Sequence, residues 1–286
     1  MKRVIDVHVH LTPPEIVSGR AGFLNGEGAW SVLYQDPKAR MASTGDLLAM
    51  MDEEGVDQAW VMGFPWSRED TAKRHNEWLL GEAQKYPDRL LPLAAFDFTA
   101  PWAVRHAEAM LAAGMAGLGE LALYDRGFGP AELDILEALA AMCRMRGALL
   151  LMHVNEPIGH QYPGKAPLEI SHIYNLVLRC QGVKLILAHF GGGLPLLAAL
   201  KKEVKEALAN VRFDTAAMPF LYQPVVMKMV LQILGPENFF LGTDYPLLKP
   251  ARYRRFFTEA GLREADIDLI MGVAASQYLA AQGGRI

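Results

Sequence analysis

Near the start of the chain, the run Ile5-Asp6-Val7-His8-Val9-His10 has the residue types and spacing that bind metal. It is rich in Val and Ile, and the Leu11-Thr12-Pro13-Pro14 that follows cannot continue a ladder, so it reads as a β-strand. Side chains alternate across a strand, which sets Asp6, His8 and His10 on one face and Ile5, Val7 and Val9 on the other. Two imidazoles at i and i+2 of a rigid element can hold one divalent ion. Similar groups recur further on. Glu120, His153, His189, Asp214 and Asp244 each stand at or near the end of an apolar run. Four of the eight histidines, His8, His10, His153 and His189, fall at such ends. The other four, His75, His106, His160 and His172, lie in predicted helices or loops. Ionisable groups converging on one rim are costly without a common partner, and a metal ion is that partner.

The elements that must position these groups alternate. Short apolar strands are predicted at 5–10, 58–64, 90–96, 117–123, 148–153, 183–189, 211–215 and 239–244, with helical stretches between them. Ser43 and Gly55 bracket one helix, Pro130 and Gly147 another. A further helix is expected at 195–209, and two more close the chain near 250–260 and 264–281. The segment 12–42 reads as irregular; so long a connection suggests a lid or binding loop. Eight strand–helix units without a break in composition predict an α/β fold, a single (β/α)8 TIM barrel spanning 1–286 with an extra C-terminal helix. An open doubly wound sheet is the weaker alternative, because no Gly-x-Gly-x-x-Gly follows the first strand. Gly191-Gly192-Gly193 suits a hinge or a close backbone approach at least as well as a phosphate site.

Composition excludes some classes. A net charge of −4 and a pI near 6.1 offer no basic field to nucleic acid. No apolar run reaches membrane-spanning length, and the first strand is too short and too acidic for a signal peptide. Cys143 and Cys180 fall in predicted helices and read as buried free thiols, so a cytoplasmic, reducing location is expected.

Four elements taken together carry a family resemblance: Asp6-Val7-His8-Val9-His10, His153 in Leu-Leu-Met-His-Val, His189 in Ile-Leu-Ala-His-Phe-Gly-Gly, and Gly242-Thr243-Asp244-Tyr245-Pro246. In the right order and across the whole barrel, they resemble the amidohydrolase superfamily, in particular its amidohydrolase-related branch of decarboxylases and small-molecule hydrolases. Two departures stand out. Gly272-Val273-Ala274-Ala275 lacks the Asn of the branch's Gly-x-Asn-Ala signature. The fourth strand has no Lys to bridge two metals as a carbamate, and carries Glu120, similar to the bridging Glu of TatD-type DNases. The resemblance implies His8, His10, His153 and Asp244 as metal ligands, with Glu120 and His189 as further candidates. It also implies a homodimer. Zinc is the first expectation, as one or two ions, although manganese, iron, cobalt or nickel suits the same donors. Asp244 would take a proton from a metal-activated water. His189 would hold the substrate oxygen or complete a second metal site with Glu120. Asp6 and Asp214 would orient histidines.

Substrate choice should lie in the loops after the strands. Arg20 and Trp30 in the 12–42 segment, Trp66, His160, Tyr162 and Lys249 are the candidate binding residues. Aromatic walls with a few cations suit a small carboxylated or aromatic molecule. The leading expectation is a metal-dependent hydrolase of an ester, lactone or amide. The alternative is a non-oxidative decarboxylase of an aromatic or unsaturated acid. A barrel that only binds is the third reading, and nuclease action is disfavoured by the acidic chain.

Overall fold

The computed structural model describes residues 3–280. Eight strands form one parallel sheet in sequence order: β1 (Ile5–His10), β2 (Gln58–Met62), β3 (Leu90–Ala94), β4 (Gly117–Leu121), β5 (Leu149–Met152), β6 (Lys184–Leu187), β7 (Val211–Asp214) and β8 (Phe239–Phe240). The backbone N–H of Val7 donates to the Leu241 carbonyl at 2.8 Å, Asp244 N–H to His8 at 2.9 Å and His10 N–H to Tyr245 at 2.9 Å. These bonds join the last strand to the first, giving the expected (β/α)8 barrel. β8 is shorter than the expected 239–244 because the chain leaves the β7 ladder there. Leu241 N–H donates to Ile270, and Gly242 N–H to the Thr215 hydroxyl.

The period-two pattern is visible as two layers. Ile5, Val7, Trp60, Met62, Leu149, Leu151, Ile186 and Phe240 fill the barrel. Their neighbours Ala59, Val61, Leu150, Met152, Leu185 and Leu187 face the surrounding helices. The extra C-terminal helix, Ala274–Ala280, packs Ala274, Ala275 and Tyr278 against the inner cluster, closing the end where β1 begins. The last residue of the expected closing helix, 281, lies outside the described residues.

Regular alternation fails in β1 and β4. In β1, Asp6 pairs with Ala59 but Val9 pairs with Val61, so one extra residue is accommodated between them. Ile5 and Val7 therefore pack inside while Val9 packs outside, correcting the expectation that all three share a face. In β4, Leu118 pairs with Leu150 and Leu121 with Met152, another single-residue insertion. Such bulges re-aim side chains beside functional sites. Here they fall at His8 and Glu120. The β4 bulge requires glycine: Gly119 has φ +144, and a Cβ there would lie 2.7 Å from both the Cβ and the carbonyl oxygen of Leu151.

Segment 12–42 is more ordered than its composition suggests. It holds helices Pro14–Ser18 and Gly28–Tyr34 and a 3-10 turn Arg20–Phe23. Tertiary packing outweighs its weak helix propensity. Trp30 and Tyr34, at i and i+4, are buried and stack at 4.2 Å. The expected helix at 195–209 is two short ones, Leu194–Leu197 and Lys202–Ala207, because Lys201 takes an extended conformation and caps the second. Ser43 and Asp46 form the capping box of helix Thr44–Glu54, and left-handed Gly55 ends it. Cys143 and Cys180 are buried free thiols, pushed up to about 12 by burial, with Cys180 capping helix Ile170–Arg179 from just outside. Among the described residues no helix is long and apolar enough to cross a membrane.

Candidate metal centre

At the C-terminal rim of the barrel the ionisable groups named from sequence converge. The bulge in β1 turns both histidines inward, so that His8 Nε2 and His10 Nε2 lie 3.1 Å apart. Neighbouring ligands on one ion with bonds of about 2.0–2.1 Å stand about 3.0–3.4 Å apart, so the pair fits a shared metal. Each ring is held by its other nitrogen. His8 Nδ1 donates to Asp214 Oδ2 at 2.8 Å, and His10 Nδ1 to the Gly63 carbonyl at 2.9 Å. Phe64 stacks on the His10 ring at 5.0 Å. His189 Nδ1 donates to the Ala216 carbonyl at 3.1 Å. All three Nε2 atoms are thereby directed into one space.

Two carboxylates enter that space. Asp244 Oδ1 lies 3.4 Å from His10 Nε2 and 3.7 Å from His8 Nε2. Glu120 lies 3.7 Å from each of those nitrogens and 3.3 Å from His189 Nε2. The groupings His8–His10–Asp244 and His8–Glu120–His189 share His8, whose Nε2 faces both Glu120 and Asp244. Because a single imidazole lone pair serves one ion, the two groupings cannot both use that nitrogen at once. His153, expected as a ligand, falls in neither grouping: its Nδ1 is 2.8 Å from Glu120 Oε1, and its Nε2 donates to the Gly164 carbonyl at 3.0 Å.

Electrostatics favour a cation here. Burial alone would drive His8 down, but the charges of Asp214, Glu120 and Asp244 outweigh it and hold the ring up at about 10. Burial raises Glu120, yet the neighbouring His153, His8 and His189 outweigh it and hold its carboxyl well below the usual carboxylate range. His189 is likewise raised, with Glu120 and Asp244 overcoming burial, whereas burial and then His8 lower His10. Three carboxylates among nearly dry imidazoles demand positive charge, which protons supply in the metal-free protein and a divalent ion supplies better.

Backbone geometry serves the same end. His189 and Asp244 have φ of +52° and +58°, a left-handed conformation costing non-glycine residues about 1–3 kcal/mol. Asp214 Oδ1 accepts the N–H of His189 at 2.9 Å and that of Ala216 at 3.0 Å, which stabilises the β6 turn. Asp6, pushed up to about 7 by burial, accepts the N–H of His8 at 3.2 Å and the backbone and hydroxyl of Thr243 at 3.0 and 2.5 Å, tying β1 to the Asp244 turn. Gly192 makes the close approach expected of the glycine run, since a Cβ there would stand 2.6 Å from the Asn155 carbonyl oxygen.

A cavity of about 720 Å³ opens from the centre to solvent. His160 and Tyr162 line it as expected, with Phe64, Phe220, Leu33 and Leu221 on its walls. Four expected binding residues do not line it. Arg20 turns its guanidinium onto the carbonyls of Tyr34, Asp36, Pro37 and Ala39, and so holds the loop rather than the cavity. Trp30 is fully buried between Tyr34 and Trp66. Trp66 is also buried, and its indole N–H donates to His75 Nδ1 at 2.8 Å. Lys249 points outward and pairs with Glu53 at 2.6 Å. The cavity's own cations, Lys38 and Arg40, and its wall residue Tyr124 were not singled out by sequence. Tyr124 stands four residues after Glu120, and its place in a loop after a barrel strand was the available signal.

A family model described as amidohydrolase matches residues 5–275. No curated protein matches the chain. Among solved structures the chain is similar to the 5-carboxyvanillate decarboxylase of Sphingomonas paucimobilis, at 17% identity over 97% of this chain and 99% of that one, TM-score 0.70. It is similar to a dihydroxybenzoic acid decarboxylase of a Polaromonas species, solved with manganese and 2-nitroresorcinol, at 18% identity over 97% of both chains, TM-score 0.69. A Rhizobium 2,6-dihydroxybenzoate decarboxylase matches at 16% identity over 99% of this chain and 100% of that one, TM-score 0.68. At these identities the similarity establishes the shared fold.

Proposed function

The chain belongs to the amidohydrolase family, and from that membership we propose that it is a metal-dependent, non-oxidative decarboxylase of a small hydroxylated aromatic acid. The observation that carries this reading is the cavity: apolar and aromatic walls narrow onto a donor cluster in which His189 and Glu120 stand 3.3 Å apart. The named decarboxylases of the same fold support it. His8, His10, Asp244 and Glu120 would hold the ion, and His153 would fix Glu120. Nitrogen and carboxylate donors accept manganese as well as zinc. When bound, the ion would supply positive charge that holds the substrate oxygens and favours ionisation of a ring hydroxyl, whose electrons make the ring carbon basic enough to take a proton. The flat walls orient the ring. His189, carrying protons on both nitrogens, delivers the Nε2 proton to the ring carbon that bears the carboxylate. The carbon–carbon bond then breaks, its electrons restore the ring, carbon dioxide departs, and His189 regains a proton from solvent.

Hydrolysis remains a second reading, because the Asp244 carboxylate is 21% exposed on the cavity side and is placed to take a proton from water. One experiment separates the two. Protein loaded with manganese or zinc is incubated with a panel of hydroxybenzoates and with aryl esters and lactones. Carbon dioxide release, with deuterium entering the product ring in heavy water, is expected. Replacement of His189 by Asn should lower kcat on the order of 100-fold or more. Ester or lactone cleavage without carbon dioxide release would replace the decarboxylase reading.

A further inference from the structure

Two tyrosine hydroxyls face the cavity. Tyr34 and Tyr124 both line it, and neither hydroxyl has a hydrogen-bond partner among the described residues. The other tyrosines nearby differ. Tyr162 donates to Glu156 at 2.9 Å, and the Tyr222 hydroxyl is 3.4 Å from the His189 carbonyl. Neither the Tyr34 nor the Tyr124 hydroxyl is among the described buried side-chain atoms without a partner, so both face the open cavity, and a ligand that displaces water from them must supply a partner in its place.

Both rings are braced from behind. Tyr34 is 7% exposed, stacks on Trp30 at 4.2 Å and meets Phe64 edge-to-face at 5.1 Å. Its carbonyl accepts Arg20 Nε at 2.9 Å and Nη2 at 2.6 Å. Tyr124 meets the His153 ring edge-on at 5.0 Å. The two come from different loops, after β1 and after β4, yet share one cavity with Asp244. Burial first, then Asp244 and for Tyr124 also Glu120, raise both phenols, so each stays a neutral donor and acceptor at working pH.

We infer that the hydroxyls of Tyr34 and Tyr124 form a specificity pair that hydrogen-bonds a ring hydroxyl of the substrate away from the metal-bound oxygens. This rests on the proposed aromatic-acid substrate and narrows it to acids with at least two ring hydroxyls. Neutral hydroxyls can both donate to and accept from a phenol, and rigid bracing lowers the ordering cost of the contact. A site built to hydrogen-bond a substrate hydroxyl rejects the analogue that lacks it, because its own groups are then left unpaired.

The test is calorimetric binding to manganese-loaded protein of benzoate, 2-hydroxybenzoate and the dihydroxybenzoates carrying a 2-hydroxyl. For wild type, at least one dihydroxy isomer should bind about tenfold tighter than 2-hydroxybenzoate. In Tyr34→Phe and Tyr124→Phe that ratio should fall towards one, while metal content and 2-hydroxybenzoate affinity hold. The pair is overturned if no dihydroxy isomer is preferred, if none of these acids binds, or if both phenylalanine variants keep the full ratio. Carbon dioxide release from the same complexes is measured separately. A lost ratio without carbon dioxide release would uphold the tyrosine pair and remove the decarboxylase reading.

Discussion

Asp214 makes contact with three parts of the centre at once: the His8 ring, the His189 N–H and the Ala216 N–H. Its oxygen on His8 Nδ1 fixes the tautomer that leaves Nε2 free for metal. In Asp214→Asn the Oδ1 contacts can persist, but the amide N–H₂ then faces Nδ1. The ring must move its proton to Nε2, so metal affinity should fall about 10- to 100-fold in a chelator competition. Unchanged affinity would remove Asp214 from the ligand set's support. His75 is a different case, a buried histidine without metal chemistry. Its Nδ1 accepts from Trp66, its Nε2 donates to the Leu11 carbonyl at 2.9 Å, and burial lowers it to about 3. Its folded pKa lies below the ordinary value of 6.5, so the unfolded chain binds a proton the folded chain refuses. The stability it contributes is present above pH 6.5 and is lost as pH falls from there towards 3, by about 1.4 kcal/mol per unit. In metal-stripped protein, His75→Phe should cost about 2–3 kcal/mol at pH 7.5 by urea unfolding, and the gap to wild type should narrow towards pH 5. A constant gap would contradict this account.

The elements around the cavity differ in how they are held. Strands hold His8, His10 and Glu120 through ladders and bulges, whereas residues 34–40 depend on Arg20 reaching four carbonyls. In Arg20→Ala, amide exchange across 34–40 should speed up roughly tenfold, the loss of about 1–1.5 kcal/mol of local opening free energy. Metal content and the global unfolding midpoint should change little, because no ligand or core strand depends on that loop. A variant with unchanged exchange but weakened binding of a carboxylate probe would restore Arg20 as a direct substrate contact.

At the scale of the molecule, a metal at this site would link rim and fold. The candidate ligands come from β1, β4 and the turns after β6 and β8, so an ion held by them would span the closure between the first and last strands. Any ligand that binds only the folded chain stabilises it by about 2.7 kcal/mol at one hundred times its dissociation constant. Chelation should therefore lower the thermal midpoint by several degrees, and manganese or zinc should restore it. A midpoint indifferent to chelator and to added metal would mean that the cluster holds no ion that spans the closure.

Sequence alone determined what depends on local pattern. Alternating strands and helices named the barrel, because each short apolar run must bury both faces and each intervening helix one. Histidines and carboxylates at strand ends named the rim, because a barrel interior has no other use for them. Tertiary structure decided the rest. The bulges that turn His8 and Glu120 inward arise from pairing with β2 and β5, which no single strand encodes. That His8 Nε2 faces both Glu120 and Asp244 is a three-dimensional fact. Arg20, Trp30, Trp66 and Lys249 looked like cavity residues because their chemistry suits a binding site. Their neighbours gave them other partners: backbone carbonyls, an aromatic stack, His75 and Glu53. Residue type states what a side chain can bond to; only the packed chain states which partner lies within reach.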